Sequence, residues 1–193
     1  MKLSLILPLL LLTLSSFSQN KVLPMNEYGK YTFLEITEVK SVHKDIMAAN
    51  AKRFFKTNSK SVKLKSVEKD TAFFGTGKLI LQKGIGSIGH PSGEVAYTIA
   101  VELRSDKYRL ILSDFVITPY ERDRYGNFVP TSVSTALEKS PGKLNRSEWD
   151  NNMNAIVNES NKIAAKLKVM MSNTQAEPKQ EVKQPATVST TKW

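Results

Sequence analysis

Glu94-Val95-Ala96-Tyr97-Thr98-Ile99-Ala100-Val101-Glu102-Leu103-Arg104 is followed closely by Tyr108-Arg109-Leu110-Ile111-Leu112-Ser113-Asp114-Phe115-Val116-Ile117. The first run alternates cleanly. Val95, Tyr97, Ile99, Val101 and Leu103 face one way, and Glu94, Thr98 and Glu102 face the other. Period-two alternation of this kind marks a strand with one buried face. Ser105-Asp106 is a short turn, so 94–117 reads as an antiparallel hairpin at the centre of a sheet. A sheet with one apolar face needs a cover on that face and leaves the other in water.

The cover is found on either side of the hairpin in sequence. Val42 to Thr57 reads as a helix, because Ile46, Met47, Ala51, Phe54 and Phe55 recur at helical spacing, with Ser41 as its expected N-cap. Ser147 to Met171 reads as a second helix, with the stripe Trp149, Met153, Ile156, Ile163, Leu167 and Met170. Ser147-Glu148-Trp149-Asp150 resembles a capping box. At ~1.5 Å per residue this helix crosses a whole sheet. Trp149, Ile156, Ile163 and Leu167 are expected to pack on Tyr97, Ile99 and Val101.

Three more strands complete the pattern. Tyr31 to Glu38 follows a turn at Asn26-Glu27-Tyr28-Gly29. Val62 to Glu68 is short and basic, with Val62 and Leu64 on one face. Thr71 to Lys83 carries Gly75 and Gly77, which permit a bulge or a tight bend. Pro119 to Arg146 holds three prolines and no sustained period, and reads as one long loop. The order is β-α-β-β-β-β-α, an α+β fold with two helices on one face of an antiparallel sheet.

The chain of 193 residues divides unevenly. Lys2, the apolar run Leu3 to Leu14 and the small-x-small site Ser16-Phe17-Ser18 make residues 1–18 a cleavable signal peptide, with Gln19 beginning the mature chain. The run is shorter than the ~20 apolar residues a spanning helix needs. Residues 19–26 form a short lead, 27–171 a single α+β domain, and 172–193 a polar, disordered tail. The chain has no cysteine, which removes disulfides and the lipid anchor of a bacterial lipoprotein. Small secreted animal domains usually rely on disulfides. The expectation is therefore an exported bacterial protein, periplasmic or extracellular.

No catalytic set is legible. Gly84-Ile85-Gly86-Ser87-Ile88-Gly89 matches G-x-G-x-x-G, but His90-Pro91-Ser92-Gly93 and a strand follow where a dinucleotide site needs a helix. It reads as a strand-to-strand loop. The two histidines, His43 and His90, are isolated. They supply neither the three or four ligands of a zinc site nor the oriented base of a triad. No cofactor or metal is expected. Asp114 stands in step with Leu110 and Leu112. It is either a buried acid of raised pKa or, as the reading favoured here, the mark of a bulge or a partner of Ser113 or Arg109.

Two surfaces remain. The formal net charge is +10, and Lys52, Arg53, Lys56, Lys60, Lys63 and Lys65 cluster where the first helix meets the second strand. Lys52, Arg53, Lys56, Lys60 and Lys63 are a candidate anion-binding face; a solvated rim is the plainer alternative. Outside the cytoplasm the anionic partners are lipid headgroups, lipopolysaccharide and acidic polymers; export argues against nucleic acid. Tyr120, Arg122, Arg124, Tyr125 and Phe128 mix rings with guanidiniums in the long loop, a candidate partner-binding surface. The same rings suit folding back over the sheet edge.

Tyr31-Thr32-Phe33-Leu34-Glu35-Ile36, Ala51-Lys52-Arg53-Phe54-Phe55, the hairpin Ala96 to Glu102 and Tyr108 to Leu110 with Ser113-Asp114-Phe115, and the closing Met170-Met171 together resemble a family of exported bacterial proteins. That family carries a domain of unknown function with a TATA-binding-protein-like fold. The resemblance covers about 27–171 and implies a curved sheet with helices on one side. It brings no active-site residues. The functional expectation is a non-enzymatic binding or interaction module of the cell envelope. The alternatives are a carrier of an amphipathic or lipid-like ligand between helices and sheet, and a hydrolase built around Asp114.

Overall fold

The structure, a computed structural model, describes residues 22–40, 42–83, 89–139 and 145–174. The expected signal peptide at 1–18, residues 84–88 of the glycine loop, Ser41 as expected N-cap and the expected tail from 175 onward lie outside the described residues. Along the chain come β1 (Phe33–Glu38), α1 (Lys44–Thr57), β2 (Val62–Glu68), β3 (Ala72–Lys83), β4 (His90–Leu103), β5 (Lys107–Arg122), β6 (Phe128–Pro130), β7 (Thr135–Ala136) and α2 (Arg146–Met171).

The central hairpin forms as its alternation demands. Val95, Tyr97, Ile99, Val101 and Leu103 are all buried, and β4 pairs antiparallel with β5. The sheet runs β1-β5-β4-β3-β2, with β6 and β7 added to β5. Both helices lie on its apolar face. Met47, Ala51, Phe54 and Phe55 of α1, and Met153, Ile156, Leu167 and Met171 of α2, are buried in one cluster with the inward residues of the strands. Burying a leucine or phenylalanine contributes roughly 1.5–3 kcal/mol, so this cluster is the dominant stabilising term.

The long loop expected at 119–146 is interrupted by strand: the end of β5, β6 and β7 fall inside it. β5 continues to Arg122, because β4 also starts early, at His90, and Gly93 pairs with Pro119. The prolines that broke the sequence pattern sit where a missing N–H does little harm. Pro91 lies at a register shift opposite Gln82, and Pro119 accepts from the Thr131 amide through its carbonyl. After β6 and β7 the chain is tied back by Leu137, which is buried, donates its amide to Phe115 and accepts from the Trp149 indole at 3.2 Å.

Both helix starts differ from expectation. α1 is capped by His43 and α2 by Asn145, neither through a side-chain bond. Ser147 falls inside the first turn of α2, two residues past the cap position that a capping box needs. Trp149 is partly buried against the core cluster; its ring meets Tyr31 at 5.8 Å, and its N–H goes to the Leu137 carbonyl. The turn at 26–29 forms as read: Gly29 donates to the Asn26 carbonyl and takes φ 69°, while the Asn26 side chain accepts from Tyr28 and Lys30.

Candidate functional site

α1 ends where Asn58 donates its side-chain amide back to the Phe54 carbonyl. The turn at 58–61 then passes the chain directly into β2. This tight connection lays the last two turns of α1 beside the start of β2. Lys52, Lys56 and Lys63 come together there around a cleft of about 430 Å³. Its floor is Phe55, Val62 and Leu64, and no carboxylate lines it. Lys52 pairs with Asp70 at 2.8 Å on the adjoining turn. Lys56 and Lys63 make no ion pair among the described residues.

The other two members of the predicted basic face point elsewhere. Arg53 donates to the Asn50 side chain, which in turn donates to the Asn173 carbonyl at the end of α2. It belongs to the seam between the helices. Lys60 lines a separate cleft of about 600 Å³ between β3 and α2, with Lys78, Ile80, Asn158 and Lys162.

The predicted partner loop is the β5–β6 hairpin, and it divides its aromatic and basic residues. The Tyr120 hydroxyl donates to Glu94 at 2.7 Å, and Lys78 pairs with the same carboxylate at 2.7 Å. Burial pushes the Glu94 carboxyl up, but the bonds from Lys78 and Tyr120 and the charge of Lys78 outweigh it and hold the group below the usual carboxylate range. The same bond, with burial and the charge of Glu94, pushes Tyr120 up to about 12. Phe128 stacks on His90 at 4.6 Å and carries the Arg122 guanidinium at 5.2 Å. Only Arg124 and Tyr125 project from the tip, where Arg124 lies over the Tyr125 ring. Asp123 ties the tip by accepting the amides of Tyr125 and Asn127.

Asp114 is no buried acid. Its side chain is half exposed, and it occupies the left-handed region at φ 53°. The register between β4 and β5 shifts beside it, with Ala96 opposite Val116 and Thr98 opposite Ser113. It is the extra residue of a bulge, its carboxylate accepting from the Thr98 and Ser113 hydroxyls and 4.0 Å from Lys30. Arg109, its other suggested partner, instead pairs with Glu102 at 2.7 Å. His90 lies against the Pro91 carbonyl, and His43 precedes α1. Among the described residues no group of three or more histidines or carboxylates is placed to hold a metal.

One surface was missed in the sequence. The uncovered face of the sheet carries an apolar row running across the strands, set by register: Leu34 opposite Ile111, Ile111 opposite Ala100, Ala100 opposite Phe74. A hydroxyl row, Ser113, Thr98 and Thr76, flanks it on one side, and the Arg109–Glu102 pair on the other. Leu34 is 54% exposed and its neighbour Ile36 62%. The signal was in β1, where Leu34 and Ile36 alternate with Phe33 and so belong to the face opposite the core.

No family model and no curated protein matches the chain. Two solved structures do. A TBP-like protein from Parabacteroides distasonis superposes with a TM-score of 0.59 over 79% of this chain and 98% of its own, at 15% identity. A DUF4468 family protein from Bacteroides ovatus does so with a TM-score of 0.59 over 81% of this chain and 94% of its own, at 12% identity. The likeness is one of fold: this chain has the curved antiparallel sheet and paired helices of the TBP-like fold, as expected from sequence.

Proposed function

We propose that this TBP-like chain is a non-enzymatic binding module of the bacterial cell envelope, exported by its N-terminal leader, that meets an anionic surface with the basic end of α1 and β2. The observation that carries the reading is the convergence of Lys52, Lys56 and Lys63 on one cleft free of carboxylates. Scattered surface lysines serve solubility alone; three on one rim add their fields over a Debye length of ~8 Å. Arg53 and Lys60 take no part in this contact, the first serving the helix seam and the second a separate cleft. The leader Leu3 to Leu14 with Ser16-Phe17-Ser18 supports export, and no helix among the described residues is long and apolar enough to cross a membrane.

The rival readings have less support. A carrier site beneath α2 needs space where Tyr97, Ile99, Val101, Ile156 and Leu167 are buried in one cluster, and the cleft of about 600 Å³ beside it, between β3 and α2, has the polar rim of Lys60, Lys78, Asn158 and Lys162. A hydrolase at Asp114 needs a general base beside a nucleophile, whereas this half-exposed carboxylate sits at a bulge and holds the Thr98 and Ser113 hydroxyls of the two adjoining strands, with Lys30 at 4.0 Å. The test is co-sedimentation with phosphatidylglycerol and phosphatidylcholine vesicles at low and high salt. Binding is expected on the anionic vesicles alone, to fall steeply with salt, and to vanish when Lys52, Lys56 and Lys63 are changed to Glu. Binding indifferent to both salt and charge reversal, or no binding at all, overturns the reading.

A further inference from the structure

The rim of the cleft between α1 and β2 is cationic, but its floor is not, and the floor has its own explanation. In β2, Val62 pairs opposite Gly77 and Leu64 opposite Gly75, so both face the helix side. Val62 is buried, 1% exposed, whereas Leu64 remains 36% exposed. The cause is local. Register shifts between Leu64 and Ser66, which bends the strand away at Lys65. Opposite Leu64, Gly75 offers no side chain, and its Cα is closed over by the Phe55 ring and the Lys63 carbonyl. Leu64 is thus an inward-facing leucine that the core does not cover. It opens into about 430 Å³ of space ringed by Lys52, Lys56 and Lys63.

From this juxtaposition we infer that the cleft binds a single-chain anionic amphiphile, with its phosphate or carboxylate head among Lys52, Lys56 and Lys63 and its acyl chain on Phe55, Val62 and Leu64. The inference rests on the reading of the basic face given above and names the ligand class for it. Charge complementarity selects the head: no carboxylate lines the cleft, and the exposed pair of Lys52 with Asp70 is one that a competing anion has to displace. The exposed apolar floor selects the tail. A bare anion leaves Leu64 in water, and a neutral detergent brings no counter-charge to Lys56 and Lys63. Free fatty acids and lysophospholipids both carry this chemistry, and their heads distinguish them.

The experiment is calorimetric titration of the purified protein, below micelle-forming concentrations, with decyl phosphate, octyl phosphate, decanoate, inorganic phosphate and decyl maltoside. Decyl phosphate is expected to bind about tenfold more tightly than octyl phosphate, since each of the two added methylenes is worth ~0.8 kcal/mol when buried. Inorganic phosphate and decyl maltoside are expected to bind at least tenfold more weakly than decyl phosphate. Decanoate matching decyl phosphate identifies any anionic head as sufficient; decanoate far weaker selects the phosphate. Leu64→Asn is expected to weaken decyl phosphate at least tenfold, while Val67→Asn, on the same strand and comparably exposed, leaves it unchanged. Inorganic phosphate binding as tightly as decyl phosphate, or Leu64→Asn behaving like Val67→Asn, overturns the inference. Anionic vesicles bound by a protein that takes up no decyl phosphate overturn it while leaving the surface reading intact; a protein that binds neither overturns both.

Discussion

Gly77 lies so close to the ring of Tyr97 that a Cβ at position 77 would overlap the ring's Cζ, Cε2 and hydroxyl. The two are register partners across β3 and β4. The ring has nowhere to retreat: it is 3% exposed and packs against Phe115 at 5.9 Å. Overpacking a filled core costs about 1–3 kcal/mol. Gly77→Ala is therefore expected to lower the urea unfolding free energy by that amount. Adding Tyr97→Leu, which removes the obstructing ring, is expected to cost less in the Gly77→Ala background than in the parent chain. Additive losses would mean the two positions do not share space.

That pair shows where sequence reasoning stopped. Gly75 and Gly77 were legible as special, and a bulge or bend was the local explanation. The actual cause is a ring from the neighbouring strand at position 77 and a helix ring, Phe55, at position 75. Periodicity identifies what faces inward, and so it found the hairpin, both helices and the helix-covered face. It does not reveal which rings meet across strands. Prolines at 91 and 119 hid the outer ends of β4 and β5, because a missing N–H looks the same at a loop and at a bulged strand end. In the basic cluster, sequence neighbourhood gave all five cations equal standing. Helical phase and the turn at 58–61 then separated Lys52, Lys56 and Lys63 from Arg53 and Lys60.

The β2–β3 turn is strained at two residues that are not glycine. Lys69 and Asp70 have φ of 49° and 52°, the left-handed central pair of a turn closed by the Thr71 amide on the Glu68 carbonyl, where Asn and Gly are favoured. Left-handed backbone costs a residue with a Cβ roughly 1–2 kcal/mol, and Asn tolerates it best. Lys69→Asn, which keeps Asp70 on Lys52, is expected to raise stability by about 0.5–1 kcal/mol in urea titration. A variant no more stable than the parent would show that position 69 carries no such strain.

Asp114 offers a test that separates backbone from side chain. At φ 53° a β-branched residue is badly placed, whereas glycine is at ease. Asp114→Val is expected to lose roughly 1–3 kcal/mol, the usual cost of strained backbone. Asp114→Gly relieves strain but gives up the bonds from Thr98 and Ser113, and is expected within about 1 kcal/mol of the parent. If the two variants unfold at the same urea concentration, the carboxylate matters and the bulge does not.

The bond from Tyr120 to Glu94 makes the stability of the outer sheet depend on pH at both ends. The Glu94 carboxyl is held below its usual range in the folded chain, so its contribution is full above the unfolded carboxylate value and is lost as pH falls through the folded one. Tyr120 is pushed up to about 12. A hydroxyl raised in the folded state contributes fully below the unfolded tyrosine value, about pH 10, and that contribution is lost as pH rises from there through the folded value. Tyr120→Phe removes the bond and leaves Lys78 on Glu94. A hydrogen bond to a charged group is worth about 1.5–3 kcal/mol, and partial exposure to water brings this one toward 1 kcal/mol. The stability difference between parent and Tyr120→Phe is therefore expected to be constant from about pH 5 to 9.5. It should shrink in acid, where Glu94 takes up its proton, and again above pH 10, where the phenol is lost. Urea unfolding midpoints from pH 3.5 to 11, with spectrophotometric titration of the tyrosines above pH 10, measure both limbs. A difference that stays level above pH 10, or a Tyr120→Phe chain with as many late-titrating tyrosines as the parent, would show that Tyr120 does not hold its proton for Glu94.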